Sequence, residues 1–147
     1  MRILLINGPN LNMLGSRQPE IYGTMTLRDI VDRVTERAKE HGAQIVPFQS
    51  NHEGTIVDFI QENAPTADGV IINAGALTHY GLSLRDSFES IGKPFVEVHI
   101  SNIHAREEFR RHSVLADIAV AQVAGLGWRG YLEALDALVG ILKDKQA

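Results

Sequence analysis

Short aliphatic runs alternate with stretches of helical spacing along this chain, and that alternation constrains the fold more than any other feature. Ile3 to Ile6 is aliphatic throughout, the pattern of a strand buried on both faces of a parallel sheet. From Leu27 the apolar positions fall at Leu27, Ile30, Val31, Val34 and Ala38, one stripe of a helix. Thr26 with Asp29 resembles a capping box before it, and Gly42 supplies the stop. A second strand is expected at Gln44 to Phe48, then a helix marked by Ile56, Phe59 and Ile60 that ends before Pro65. Gly69 to Asn73 reads as a third strand, and Ser83 to Ile91 as a helix stopped by Gly92 and Pro94. Phe95 to Ile100 is the fourth strand. The polar stretch Arg106 to His112 reads as a short helix, Ile118 to Val123 as a fifth strand, and Tyr131 to Leu142 as a closing helix. These elements predict one α/β domain over residues 1–147, an open, doubly wound parallel sheet. Five strands in so short a chain favour the flavodoxin-like order 2-1-3-4-5.

Composition agrees and narrows the chemistry. A chain of 147 residues can enclose one sizeable core, and 44% hydrophobic with 22% charged residues is ordinary globular usage. No cysteine is present, which excludes a disulfide scaffold, thiolate zinc sites, thiol nucleophiles and iron–sulfur ligation. A formal charge of −4 disfavours nucleic acid or an anionic membrane as partner. The apolar run at Ile3–Ile6 is too short for a signal-peptide core or a membrane span, so a cytoplasmic protein is expected.

In doubly wound sheets ligands bind beyond the carboxyl ends of the strands, near the switch between the first and third. Those ends are Asn7 to Asn10, Ser50 to Glu53, Asn73 to His79 and His99 to Asn102, all rich in amide, imidazole and hydroxyl groups. The connection from Asn7 to Gly23 is longer than the usual 2–6 residues. Gly15 and Gly23 bracket Arg17 and Tyr22, which suits a hinged lid; a surface loop with a packed Tyr22 is the plain alternative. Glu97 and His99 are two apart on a strand and share a face. A carboxylate beside an imidazole fixes its tautomer and raises its basicity, whereas an isolated core histidine would need no function. With Ser101, Asn102, Arg106, Arg110 and Arg111 close in sequence, catalysis is the stronger reading. His79 follows the third strand as a plausible ligand contact, His52 is open either way, and His41, His104 and His112 read as surface residues.

Several chemistries are disfavoured by spacing. Gly125-Leu126-Gly127-Trp128-Arg129-Gly130 matches G-x-G-x-x-G, but only 17 residues follow, too few to complete a dinucleotide unit. His52-Glu53 lacks the second His of H-E-x-x-H, and no metal site is expected. No serine elbow occurs, and none of Lys39, Lys93, Lys143 and Lys145 lies inside a strand or at a strand's carboxyl end, which disfavours an imine. What remains suits cofactor-free acid–base chemistry on a small, polar, anionic molecule.

The stretches Asn7 to Asn12, Gly15 to Gly23, Gln49 to Gly54, Ile72-Asn73 through Thr78-His79 to Asp86, Glu97 to Asn102, Arg106 to Arg110 and Gly125 to Tyr131 resemble the type II 3-dehydroquinate dehydratase family of the shikimate and quinate pathways. The resemblance runs over nearly the whole chain. It implies trans elimination of water from 3-dehydroquinate through an enolate, without cofactor or metal. Tyr22 would be the base, helped to ionise by Arg17. Asn10 would help hold the enolate, and His99, oriented by Glu97, would protonate the departing hydroxyl. Asn73 with the backbone of Ile100 and Ser101 would hold the carboxylate, while His79, Asp86 and Arg110 would bind ring hydroxyls. The resemblance also implies a homo-oligomer, a dodecamer built from trimers, in which Asp86 can serve a neighbouring subunit.

Overall fold

The computed structural model describes every residue except Arg17 and Gly23, and Tyr22 through its backbone alone. Its elements run β1 (Arg2–Asn7), α1 (Pro19–Tyr22), α2 (Leu27–Glu40), β2 (Gln44–Gln49), α3 (Glu53–Asn63), β3 (Gly69–Asn73), α4 (Leu82–Ile91), β4 (Phe95–His99), β5 (Ala121–Ala124) and α5 (Arg129–Gln146). The five strands pair in parallel in the order β2-β1-β3-β4-β5, the order that five strands in so short a chain favour.

Side-chain alternation sorts the core into two layers. Ile3 and Leu5 of β1, Ile71 of β3, and Val96 and Val98 of β4 meet Ile30 and Val34 of α2 and Leu135 and Leu138 of α5. Leu4, Ile6, Val70, Ile72 and Phe95 face the other way, onto Ile56 and Ile60 of α3 and Leu84 and Phe88 of α4. Helix α2 starts where the sequence places it. Thr26 Oγ1 accepts the Asp29 backbone N–H, and the Asp29 carboxylate accepts that of Thr26, both at 3.1 Å.

Two expectations are corrected. Residues Arg106 to His112 form no continuous helix; the segment holds only the single 3-10 turn Glu108–Arg110, preceded by another at Ile103–Ala105, with extended backbone at Arg106 between the two. It lacks an apolar stripe to bury, and Phe109 is exposed, so no packing supports a helix there. The fifth strand starts at Ala121 rather than Ile118. Ile118 and Ala119 turn back on the Leu115 carbonyl and pack on the α3/α4 layer, and the chain enters the sheet only at Val120. Helix α5 is longer than its apolar stripe, extending to both sides of Tyr131–Leu142. Between β1 and α2 the chain forms a 3-10 turn at Leu11–Met13 and the short α1, so this connection is not unbroken loop.

The carboxyl ends of β1, β3 and β4 come together because their connections allow very close approach. The Gly8 N–H donates to the Asn73 carbonyl at 2.8 Å, and a Cβ on Gly8 would run into the Ala74 backbone. That glycine lets the two central strand ends carry the chain toward one crevice.

Candidate active site

The crevice at these strand ends is small, with a cavity volume of about 60 Å³, and it is partly open to solvent. Asn10, Asn73, His79, His99, Ile100, Ser101 and Arg110 all line it. Asn10 reaches it with φ +69°, a left-handed conformation that asparagine tolerates, and its backbone N–H donates to Asn51 Oδ1 at 3.0 Å. A second, wider crevice under Glu20 and Ile21 of α1 shares Ile100, Ser101 and Arg106 with the first. Asp86 lies exposed on α4 and does not line the pocket of its own chain. Arg17 and the Tyr22 side chain lie outside the described residues.

Glu97 and His99 share the α3/α4 face of β4, and both are buried. His99 Nε2 is hydrogen-bonded to Glu97 Oε2. Because a carboxylate accepts, Nε2 carries the hydrogen, and Nδ1 is left to exchange a proton with a ligand. Glu97 is held by more than His99. Thr78 Oγ1 donates to it at 2.7 Å, Ser113 Oγ lies 2.8 and 2.9 Å from its two oxygens, and Gln122 Nε2 donates at 3.2 Å from the neighbouring strand. Burial pushes the Glu97 carboxyl up, but the hydrogen bonds from His99, Thr78 and Ser113 and the charge on His99 outweigh it and bring it below the usual range. A negatively charged carboxylate therefore sits behind His99 in a dry setting.

His79 is oriented by its other side. Its Nδ1 lies 2.7 Å from the His112 carbonyl, so Nδ1 carries the hydrogen and Nε2 is an acceptor in the neutral ring. Burial lowers its pKa from the ordinary histidine value, partly offset by that carbonyl, with the nearby charges of His99 and Arg110 acting in the same direction as burial. A neutral acceptor suits a ligand hydroxyl. Arg110 is held by Glu107, with Nε donating to Oε2 at 2.5 Å.

Asn73 enters the pocket from the opposite face of the sheet. Its Oδ1 accepts the Gly75 N–H at 3.1 Å, and its Nδ2 donates to the Tyr131 hydroxyl at 2.8 Å. Sequence pattern alone does not reveal Thr78, Ser113, Gln122 and Tyr131 as supports of this site. Thr78 and Tyr131 lie within the family-like stretches, but no spacing rule ties either to its partner. Of the surface histidines, His104 and His112 are exposed, whereas His41 is partly buried and hydrogen-bonded to Asp136 at 2.8 Å. His52 is exposed at the start of α3, outside the pocket. Among the described residues no group of three or more His, Asp or Glu side chains could hold a metal ion. Nor, among them, is any helix long and apolar enough to cross a membrane.

Fold and pocket together define a flavodoxin-like α/β protein whose strand-end crevice is equipped for acid–base chemistry. Comparison with known proteins makes the class specific. The family model described as "Dehydroquinase class II" matches residues 1–139. The chain is 55% identical over 140 residues to the 3-dehydroquinate dehydratase of Roseiflexus castenholzii, covering 95% of this chain and 89% of that protein. It is 53% identical over 142 residues to the enzyme of the same name from Halothermothrix orenii, covering 97% and 96%. Among solved structures it resembles the type II dehydroquinase of Butyrivibrio crossotus, with TM-score 0.91, 45% identity, and coverage of 94% of this chain and 97% of that one. The chain belongs to the class II dehydroquinase family.

Proposed function

We propose that this chain removes water from 3-dehydroquinate by trans elimination through an enolate, giving 3-dehydroshikimate in the shikimate pathway. The reaction class follows from membership in the family; the roles of individual residues are our reading. Tyr22, as phenolate, takes the proton from the carbon α to the ketone, and the electron pair moves onto the ketone oxygen. A free phenol titrates near pH ~10, so a nearby cation is needed, and Arg17 on the same segment supplies it. Asn10 stabilises the enolate oxygen. As the enolate collapses, the β-carbon–oxygen bond breaks, and the departing hydroxyl takes a proton from His99 and leaves as water. Asn73 with the backbone of Ile100 and Ser101 holds the substrate carboxylate, and His79 and Arg110 take ring hydroxyls.

One observation supports this reading above the others. A buried carboxylate, held by three further donors, sits against a histidine that lines the pocket and leaves its other nitrogen for proton exchange. A module that only bound a ligand would need no such pair. On the same reading the chain assembles with copies of itself, and the exposed Asp86 completes a neighbour's pocket rather than its own.

The test is to add metal-stripped protein to 3-dehydroquinate and follow the ultraviolet absorbance of the conjugated product, beside a Tyr22→Phe variant. The parent should turn over, and the variant should lose roughly 10²–10⁴-fold in kcat, the span of a positioned base. No turnover by a folded parent would remove the assignment. Full activity in the variant would keep the enzyme and discard Tyr22 as base.

A further inference from the structure

We propose that Tyr131 is a positioning residue for ligand binding, its hydroxyl clamped between Asn73 and Asn7 so that the Asn73 amide keeps an N–H for the pocket. Asn7 and Asn73 are register partners on β1 and β3 and project to the face covered by α5. Tyr131, in the first turn of α5, is fully buried between them. Its hydroxyl donates to Asn7 Oδ1 at 2.6 Å and accepts from Asn73 Nδ2 at 2.8 Å. A hydroxyl has one hydrogen, so the bonds run in one direction: Asn73 amide to Tyr131, Tyr131 to Asn7. Asn73 Oδ1 is meanwhile taken by the Gly75 N–H. Flipping the Asn73 amide would set its NH₂ against the Gly75 N–H, donor against donor. One hydrogen on Nδ2 is left over, on a side chain that lines the pocket. That hydrogen suits an anion such as a carboxylate.

Two further observations agree. Burial pushes the Tyr131 phenol well above its ordinary range, so the hydroxyl keeps its hydrogen at any working pH. Gly130, just before it, lies against Val98 of β4 and Val123 of β5, so the end of the G-x-G-x-x-G stretch sets the start of α5 on the sheet beside this tyrosine.

This inference rests on the reading that the pocket takes a carboxylate-bearing substrate, and the two can fail separately. Steady-state kinetics on 3-dehydroquinate would compare the parent, Tyr131→Phe, Asn73→Ala and the double variant. Tyr131→Phe keeps the ring, and should raise KM about tenfold, the loss of one directed hydrogen bond, with kcat changed far less. In the Asn73→Ala background the same substitution should add almost nothing, because its effect passes through Asn73. A KM effect that multiplies fully in that background, or none at all in a folded variant, would overturn the inference. Asn7→Ala, which removes the acceptor outside the pocket, should raise KM in the same direction by less; an unchanged KM counts against the clamp. Independently of turnover, one Asn73 side-chain amide hydrogen should exchange slowly with solvent in ¹⁵N spectra of the parent and faster in Tyr131→Phe. Equal exchange in both would also overturn it. Absence of turnover by the parent would instead strike the proposed reaction and leave the amide measurement standing.

Discussion

The pocket rests on two buried polar clusters, one on each face of the sheet, and they solve the problem of burying polar groups in opposite ways. On the α3/α4 face, Glu97 is charged and gathers donors from Thr78, Ser113, Gln122 and His99. On the α2/α5 face, Asn73, Tyr131 and Asn7 form a neutral relay, and Asn7 Nδ2 is left without a partner among the described residues. A buried charge is tolerable only when fully hydrogen-bonded, whereas a neutral amide can leave one hydrogen unmet at smaller cost. The charged cluster can therefore steer a proton and responds to pH. The neutral one can hold a ligand group in one orientation at any pH.

The largest effect should come from removing the charge. Glu97→Gln is expected to lower kcat roughly 10²–10³-fold while leaving KM nearly unchanged, since under the proposed roles it alters the proton donor and not the anion site. It also sets an NH₂ among the Thr78, Ser113 and Gln122 donors, so a melting curve should accompany the kinetics. A kcat close to that of the parent would erase the contrast between the two clusters.

Ser113→Ala should act more on stability. Ser113 Oγ bridges Glu97 and the backbone N–H groups of Leu115 and Ala116, so its loss strips the carboxylate and two amides at once. A cost of about 1–3 kcal/mol is expected in urea unfolding. A change below a few tenths would mean that Thr78 and Gln122 suffice.

The pH dependence separates the clusters further. Glu97 has a folded pKa below its ordinary value of 4.5, so its contribution is complete above about pH 4.5 and is lost as pH falls through the folded value. His79 has a folded pKa below 6.5, so the unfolded chain takes up its proton first and stability falls as pH drops from about 6.5. Unfolding measured against pH should show both declines, and Glu97→Gln should remove only the lower one. By contrast, the ratio of KM between Tyr131→Phe and the parent should stay flat between about pH 5 and 8, the range in which an ordinary histidine titrates. A slope in that ratio would show that the neutral relay is coupled to the charged cluster.

Much of the crevice is legible in the order of residues alone. Strand-end amides and imidazoles at Asn10, Asn73, His79 and His99 stand next to runs whose alternation gives their position, so the order of the elements locates the site. The two-residue spacing of Glu97 and His99 likewise implies a shared face. The stretch Arg106 to His112 misleads because its polarity resembles a solvated helix face, while helix formation needs an apolar stripe that it lacks. The start of the fifth strand is misplaced at Ile118 because an apolar run does not say whether it joins the sheet or covers it.

The strands, the helices and the residues that reach the carboxyl edge follow from local pattern, because period, caps and glycine stops act on neighbouring residues; the alternation of strand and helix favours the strand order without fixing it. What supports those residues is settled only by the packing of distant segments. Ser113 meets Glu97 across 16 positions, Thr78 across 19, and Tyr131 meets Asn7 across 124. No local rule links such pairs. They are joined when helices and loops close over the sheet and each buried polar atom must find its partner within hydrogen-bonding distance.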